Sequence, residues 1–573
     1  MAGTCPDTPI ISFRDFSFRY ISQAEPTLHN ISLDIRAGEK ILIVGPSGCG
    51  KSTLGHCING LIPFSYKGQI TGSLTIAGAP ARERSIFELS KIVGTVLQDS
   101  DGQFVGLTAG EDIAFALEND AVPVPAMREL VEKTARMVDM ERHLLSSPYE
   151  LSGGQKQRTA LAGVLIDDVD ILLFDEPLAN LDPATGKTAI GIIDDIHVNT
   201  GKTILIIEHR LEDVLYRGID RIIVINDGRI VADVGADELV CSPILADNGI
   251  REPLYITALK YAGIGLTPAM RPGYISTIDL SGCGDRLRSW QQSVGLDSVV
   301  NGNSPILQID NVSYSYSEGK QALHGVSFSI GAGEMVSVIG RNGAGKSTLA
   351  KLICGFLDPD EGHIYFSGAD ISGKTIRERA DLIGYVMQNP NQMISRTLIS
   401  EEVGLALKLR GVEGVEAEER VRKALEICGL LQFRSWPVSA LSYGQKKRVT
   451  IASMLVLEPD ILILDEPTAG QDFRHYSEIM RFLCTLNRRG IAIILITHDM
   501  HLMQEYTPRA IALSEGEIVS DAPAYEVLTN EETIRRANLK ETSLYTLAGL
   551  AGLENGTAFV KSFIEHERRV NDR

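Results

Sequence analysis

The chain carries one ordered set of motifs twice, so any fold assigned to it has to hold two copies of a single unit. GPSGCGKST at residues 45–53 recurs as GRNGAGKST at 340–348, VLQD ending at Asp99 recurs as VMQN ending at Asn389, and LSGGQKQR at 151–158 recurs as LSYGQKKR at 441–448. ILLFDEP and ILILDEP follow in turn. Matching positions are 295 residues apart at the glycine-rich loop and 289 or 290 apart from there on. A repeat of this length with its order preserved predicts two similar halves. The copies are assigned to residues 1–240 and 304–530, with a linker or insert at 241–303 and a C-terminal extension at 531–573. The 241–300 stretch holds ten charged residues of zero net charge among dispersed Gly and Pro, which reads as a partly structured tether. The extension holds a helical-looking stretch, then Gly549, Gly552 and Gly556 and a charged end, and is expected to be peripheral.

Each half reads as α/β. β-branched runs (Ile41 to Val44, Met335 to Ile339) lead into the glycine loops, and helix-compatible residues follow them. The further runs Ile171 to Phe174, Thr203 to Ile207, Ile461 to Leu464 and Ile493 to Ile496 do not alternate, as expected of strands buried on both faces of a parallel sheet. None approaches the 18 residues needed to cross a bilayer. The first 30 residues interrupt their apolar positions with Asp7, Arg14, Asp15 and Arg19, so no secretory signal is expected there. The eight cysteines form no CxxC pair and fit a reducing cytosol. With 55 Lys and Arg against 74 Asp and Glu, the net charge of −19 disfavours a nucleic-acid partner held by a broad basic surface.

The loops Gly45, Pro46, Ser47, Gly48, Cys49, Gly50, Lys51, Ser52, Thr53 and Gly340, Arg341, Asn342, Gly343, Ala344, Gly345, Lys346, Ser347, Thr348 both satisfy G-x-x-x-x-G-K-[S/T]. Glycine lets the backbone approach phosphate oxygens and turn successive N–H groups inward, and the following helix adds its positive N-terminal end. Lys51 and Lys346 are predicted to reach the β- and γ-phosphates of ATP, and Ser52 and Ser347 to ligate Mg²⁺. Asp175–Glu176 and Asp465–Glu466 end apolar strands, where ligands bind in α/β folds. The aspartates are predicted to hold Mg²⁺ through water, and Glu176 and Glu466 to polarise the attacking water.

LSGGQ at Leu151 to Gln155 is not needed by generic nucleotide-binding folds. With the motifs around it, the chain resembles the ATP-binding cassette family over about 470 residues. The resemblance implies, for each half, a RecA-like α/β core with an antiparallel β subdomain and a helical signature subdomain. It implies that the signature residues Ser152, Gly153, Gly154 and Gln155, and Ser442, Tyr443, Gly444 and Gln445, each cap ATP bound on the opposite half, so that two halves form two composite sites. By the same resemblance, Gln98 and Gln388 are Q-loop glutamines that touch the Mg²⁺ and its water, His209 and His498 are switch histidines at the γ-phosphate, and Tyr20 and Tyr316 stack on adenine.

Within that family, fused membrane spans are excluded by hydropathy. Twin-cassette translation factors carry a long charged linker, and tandem sugar-importer ATPases a degenerate second site; both remain as alternatives. QDSDGQFV (98–105), QNPNQMI (388–394), DIAFALEN (112–119) and GIREPLYITALKYAG (249–263) are similar to stretches of energy-coupling factor (ECF) ATPases. That resemblance implies an energising subunit on the cytoplasmic membrane face, peripheral and held by an integral coupling subunit. A separate substrate-binding membrane subunit would take a vitamin, a vitamin precursor or a metal ion. Four departures stand out. Ser100 occupies a family proline position, and one residue fewer separates Gln388 from Gln392 than Gln98 from Gln103. Tyr443 replaces a signature glycine, and Gln471 stands where Leu181 does. If the backbone at Tyr443 needs a glycine-only conformation or a close approach to phosphate, the site using that signature should turn over more slowly.

Overall fold

The computed structural model describes residues 8–571 apart from 99, 180, 296–303, 317–318, 320 and 469–470, so Asp99 of the first Q-loop stretch lies outside the described residues. It divides into two compact units, one built largely of residues before 291 and the other of residues after.

In the first unit, five parallel strands lie in the order Arg221–Asn226, Lys40–Val44, Thr203–Ile207, Ile171–Asp175 and Val93–Val96, and Arg229–Val234 closes one edge antiparallel. Lys40–Val44 and Thr203–Ile207 are buried along their whole length. That explains their unbroken apolar sequence, since both faces of a parallel sheet are covered. A second, antiparallel sheet joins Leu28–Ile35, Ile11–Tyr20, Gly68–Ile76 and Ala79–Pro80, and its apolar face shares a core with one face of the first sheet. The helices Ala109–Asn119, Val124–Met137 and Gly153–Leu165 pack on one another as a helical subdomain.

The second unit repeats this arrangement. Its large sheet runs Ile383–Val386, Ile461–Asp465, Ala492–Ile496, Met335–Gly340, Arg509–Ser514 and Glu517–Pro523, the last antiparallel. Its small sheet is built on Pro305–Ser315 and Gln321–Gly331. Its helical subdomain comprises Ile399–Leu409, Val415–Ile427 and Tyr443–Leu455.

The segment read as a tether is helical and docked on the first unit. Leu254–Tyr261 buries Tyr255, Ile256, Ala258 and Leu259. Leu254 N donates to Glu212 Oε2 (2.8 Å), Gly273 N donates to Asp237 Oδ1 (2.7 Å), and the Tyr274 hydroxyl lies 2.9 Å from both the N and the O of Ile219. The C-terminal extension is likewise packed: Phe559, Val560, Phe563 and Ile564 are buried, and Arg568 Nη2 donates to Thr507 O (2.8 Å).

These two regions are themselves copies. Leu254–Tyr261 and Ser543–Leu550 are helices of equal length at an offset of 289. At the same offset, Gly249 and Asn538 have φ 64° and 55°, and Gly263 and Gly552 have φ 69° and 67°. The bonds Ile250 N to Leu245 O and Leu539 N to Ile534 O also match. Charge counting missed this because the shared signal is apolar spacing on a short helix.

Candidate functional site

In each unit the neighbouring parallel strands end at one edge of the sheet, and the loops leaving that edge carry the predicted residues. In the first unit, Lys40–Val44 delivers the glycine loop, Ile171–Asp175 delivers Asp175 and Glu176, Thr203–Ile207 leads to His209, and Val93–Val96 leads to Gln98. Convergence of strand carboxyl ends is how α/β folds assemble a ligand site.

The glycine loops are fixed by close contact. A Cβ on Gly45 or Gly340 would sit 2.1 Å from the carbonyl oxygen of Ile225 or Leu513. Gly50 and Gly345 start the following helices at φ 105° and 101°, where side-chain-bearing residues are strained. Lys51 Nζ donates to Gly45 O and Pro46 O (both 2.8 Å), and Lys346 Nζ to Gly340 O and Arg341 O (2.7 and 2.9 Å). Cys49 is buried beside Lys51, with its Sγ 3.9 Å from Nζ.

Ser52 Oγ donates to Asp175 Oδ1 (3.2 Å) and Ser347 Oγ to Asp465 Oδ2 (3.1 Å). A hydroxyl and a carboxylate side by side form the hard-oxygen donor pair that suits Mg²⁺. Burial, then the neighbouring charge of Glu176, pushes the Asp175 carboxyl up to about 6. Asp465 is also raised by burial, but the Tyr385 hydroxyl donates to its Oδ2 (3.0 Å) and opposes the rise. Thr95 stands at the place of Tyr385 in the first unit and instead meets Asn59 (3.3 Å).

Glu176 and Glu466 have left-handed backbones, φ 50° and 45°, a conformation that costs a non-glycine residue about 1–2 kcal/mol. His209 Nε2 lies 2.7 Å from Glu176 Oε1, and His498 Nδ1 lies 2.8 Å from Glu466 Oε1. Burial alone would raise both carboxyls; the histidines, with Lys51 and Lys346, hold them below the ordinary range. Gln98 Nε2 donates to Glu176 Oε2 (2.5 Å). Tyr20 and Tyr316 bond Thr53 and Thr348 through their hydroxyls (3.2 and 3.1 Å), so both rings stand beside the first turn after the glycine loop.

The signatures cap the helices Gly153–Leu165 and Tyr443–Leu455. Ser152 with Gln155, and Ser442 with Gln445, form the same capping box. Tyr443 is the first helical residue, and its φ is not positive. Of the two conditions under which Tyr443 would slow a site, the glycine-only backbone is therefore not met. Its hydroxyl donates to Gln388 O (3.3 Å).

The shortened spacing after Gln388 is also resolved. Leu97 N donates to Gln103 Oε1 (3.1 Å), and Met387 N donates to Met393 Sδ (3.2 Å), so Gln103 corresponds to Met393 and no residue is missing. Val105 N and Gly106 N bond Asp112, as Ser395 N and Arg396 N bond Glu402, again at an offset of 290. Gln103 is turned inward, bonding Leu97 N and Thr95 O. Sequence reasoning had no access to Tyr385 or Lys447; the only signal for Lys447 was a lysine where the first half has Gln157.

A family model described as ABC transporter matches residues 28–179 and 323–469, together more than half the chain. The chain belongs to the ABC transporter family. ABC transporter ATP-binding proteins of Clostridium perfringens and Enterococcus faecalis are 55% and 56% identical to it, over 98% of this chain and 98% and 99% of theirs. A family model described as ATP-binding cassette cobalt transporter matches residues 242–314. Among solved structures, cbiO1 from Clostridium perfringens, part of the ABC transporter complex cbiONQ, is 37% identical over 41% of this chain and 95% of that one, at a TM-score of 0.38. This ABC protein thus has two cassettes, binds ATP and is an ATPase. No helix among its described residues is long and apolar enough to cross a membrane.

Proposed function

We propose that this ATPase is the energising subunit of an ECF-class importer, taking up a micronutrient that is a vitamin, a vitamin precursor or a metal ion. The observation that carries the reading is the region 242–314, whose family model is that of a cobalt transporter, together with the helical module that the first part of it forms on the first cassette. A metal ion is accordingly the favoured cargo. The motif set supports ATP bound on each glycine loop and completed by the signature of the other cassette. Glu176 and Glu466 would hold the attacking water, and His209 and His498 would orient the glutamates, which are kept ionised by those histidines. Ser52, Asp175 and Gln98, and Ser347, Asp465 and Gln388, would hold Mg²⁺, which neutralises charge on the phosphates.

Attachment to the membrane face through integral coupling and substrate-binding subunits is part of the same proposal. Val105 and Leu107 are exposed just after the first Q-loop, and Leu145 is exposed beside them, where Gly110 N bonds Leu144 O. Apolar side chains left in water next to a nucleotide-sensing loop suit a protein partner.

ATPase activity should be Mg²⁺-dependent and fall at least about tenfold when Lys51 and Lys346 are both changed to Ala; an unchanged rate would contradict the site assignment. Leu107→Glu should release the chain from co-purifying membrane subunits while leaving ATP binding intact. Co-purification with ribosomes and with no membrane protein would favour the translation-factor alternative.

A further inference from the structure

Lys447 lies in the signature helix Tyr443–Leu455 with 1% of its surface exposed. Its Nζ donates to Met387 O (3.1 Å) and Gln388 O (2.6 Å), the two peptide carbonyls of the second Q-loop. No carboxylate lies within hydrogen-bond reach of it among the described residues; Asp465 and Glu466 act on it only at longer range. An ammonium taken out of water against two neutral carbonyls is a costly way to hold a helix to a loop. Two neighbours on the helix reach the same loop: the Tyr443 hydroxyl donates to Gln388 O, and Lys446 Nζ to Asn391 Oδ1 (3.4 Å). In the first cassette the matching residue is Gln157, whose Nε2 donates to Pro177 O, one peptide beyond Glu176.

We propose that Lys447 is a positioning residue for Gln388, clasping the second Q-loop to its signature helix so that Gln388 is presented to the ion held by Ser347 and Asp465; this rests on the reading that those residues hold Mg²⁺. At this one position, then, the two cassettes connect the same helix to different parts of their sites, although both helices also pack on the turn after their Q-loop glutamine. Movement of the first signature helix acts on the peptide behind the water-orienting glutamate, and movement of the second acts on the ion ligand. A charged donor to two consecutive carbonyls fixes the orientation of both peptide planes, so the Gln388 side chain starts from a defined backbone.

The test is Mn²⁺ binding to the full chain loaded with a non-hydrolysable ATP analogue, followed by electron paramagnetic resonance, with the Mg²⁺ dependence of ATPase measured alongside. Lys447→Gln, which copies the first cassette, should weaken one of two Mn²⁺ sites about five- to tenfold and raise half-saturating Mg²⁺ for turnover. Affinity for the analogue in EDTA should stay within about twofold, because the glycine loop and Tyr316 are untouched. Lys447→Arg, which keeps the charge and two donors, should restore most of the Mn²⁺ affinity. Tyr443→Phe, at a partly exposed position, should shift the same site in the same direction by about twofold, and it tests the clasp if Lys447→Gln does not fold. Unchanged Mn²⁺ affinity in the folded variants, with only a lower melting temperature, would overturn the proposal and leave Lys447 a packing residue. A parent chain that binds the analogue but no Mn²⁺ would instead refute the ion-site reading beneath it.

Discussion

Asp175 ends its strand with its carboxyl partly out of water and next to Glu176, and a proton is therefore held up to about 6 against 3.8 for an ordinary aspartate. The sign of the stability effect follows. The folded state binds this proton more tightly than the unfolded chain does, so stability is lost as pH rises from about 4 through 6 and stays lost above. Asp175→Asn removes the charge. In EDTA and without nucleotide, the variant should melt at least about 2 °C above the parent at pH 8, with the gap closing as pH falls through 6, although it should not hydrolyse ATP. Equal melting curves at pH 8 would mean that the ionised carboxyl is compensated in the fold. Tyr385 supplies such compensation to Asp465, so Asp465→Asn should gain less. Lys51, Ser52 and Asp175 could be singled out in the sequence because a phosphate loop needs consecutive residues and the acid closes a strand. Tyr385 and Lys447 were not, since each meets its partner across 60 to 80 residues of chain with no spacing to announce it.

Unbroken apolar runs announced the short buried strands, and the family resemblance implied the helical signature subdomains; the appended helix Leu254–Tyr261 escaped both. Leu254–Tyr261 is only eight residues long, and beside its buried apolar face its anchors are polar and non-local: Glu212 accepts from its first N–H, and the Tyr274 hydroxyl meets both the N and the O of Ile219. Tyr274→Phe leaves the N–H and the C=O of Ile219 without that partner, which should cost about 1–3 kcal/mol of local stability. Hydrogen exchange checks this directly: the Ile219 amide should exchange about tenfold or more faster in the variant. An unchanged rate would show that neighbouring strands alone protect it. In the sequence DIAFALEN is only a family resemblance, whereas in three dimensions its Asp112, like Glu402 in the second unit, accepts two N–H groups of the loop after the Q-loop glutamine.

At the scale of the molecule, the boundary proposed at residue 241 would strip the first cassette of helices it uses. A fragment ending at 241 would expose the surface that Tyr255, Ile256 and Leu259 cover, so it should aggregate or melt well below a fragment ending at 295. The fragments 1–295 and 304–573 should each be soluble and bind ATP. Failure of the longer first fragment to fold would mean that the module needs residues beyond 295.

The offset of 289 that runs from His209 and His498 through Gly263 and Gly552 also dates the parts of this chain relative to one another. What was copied was longer than a nucleotide-binding core: it already included its helical tail, so the tail is older than the fusion. Each copy has since been free to drift separately, Gln157 against Lys447 and Thr95 against Tyr385. One gene thereby maintains what would otherwise be two paralogous subunits at fixed stoichiometry, and a homologous single-cassette ancestor should carry its tail at its own C-terminus.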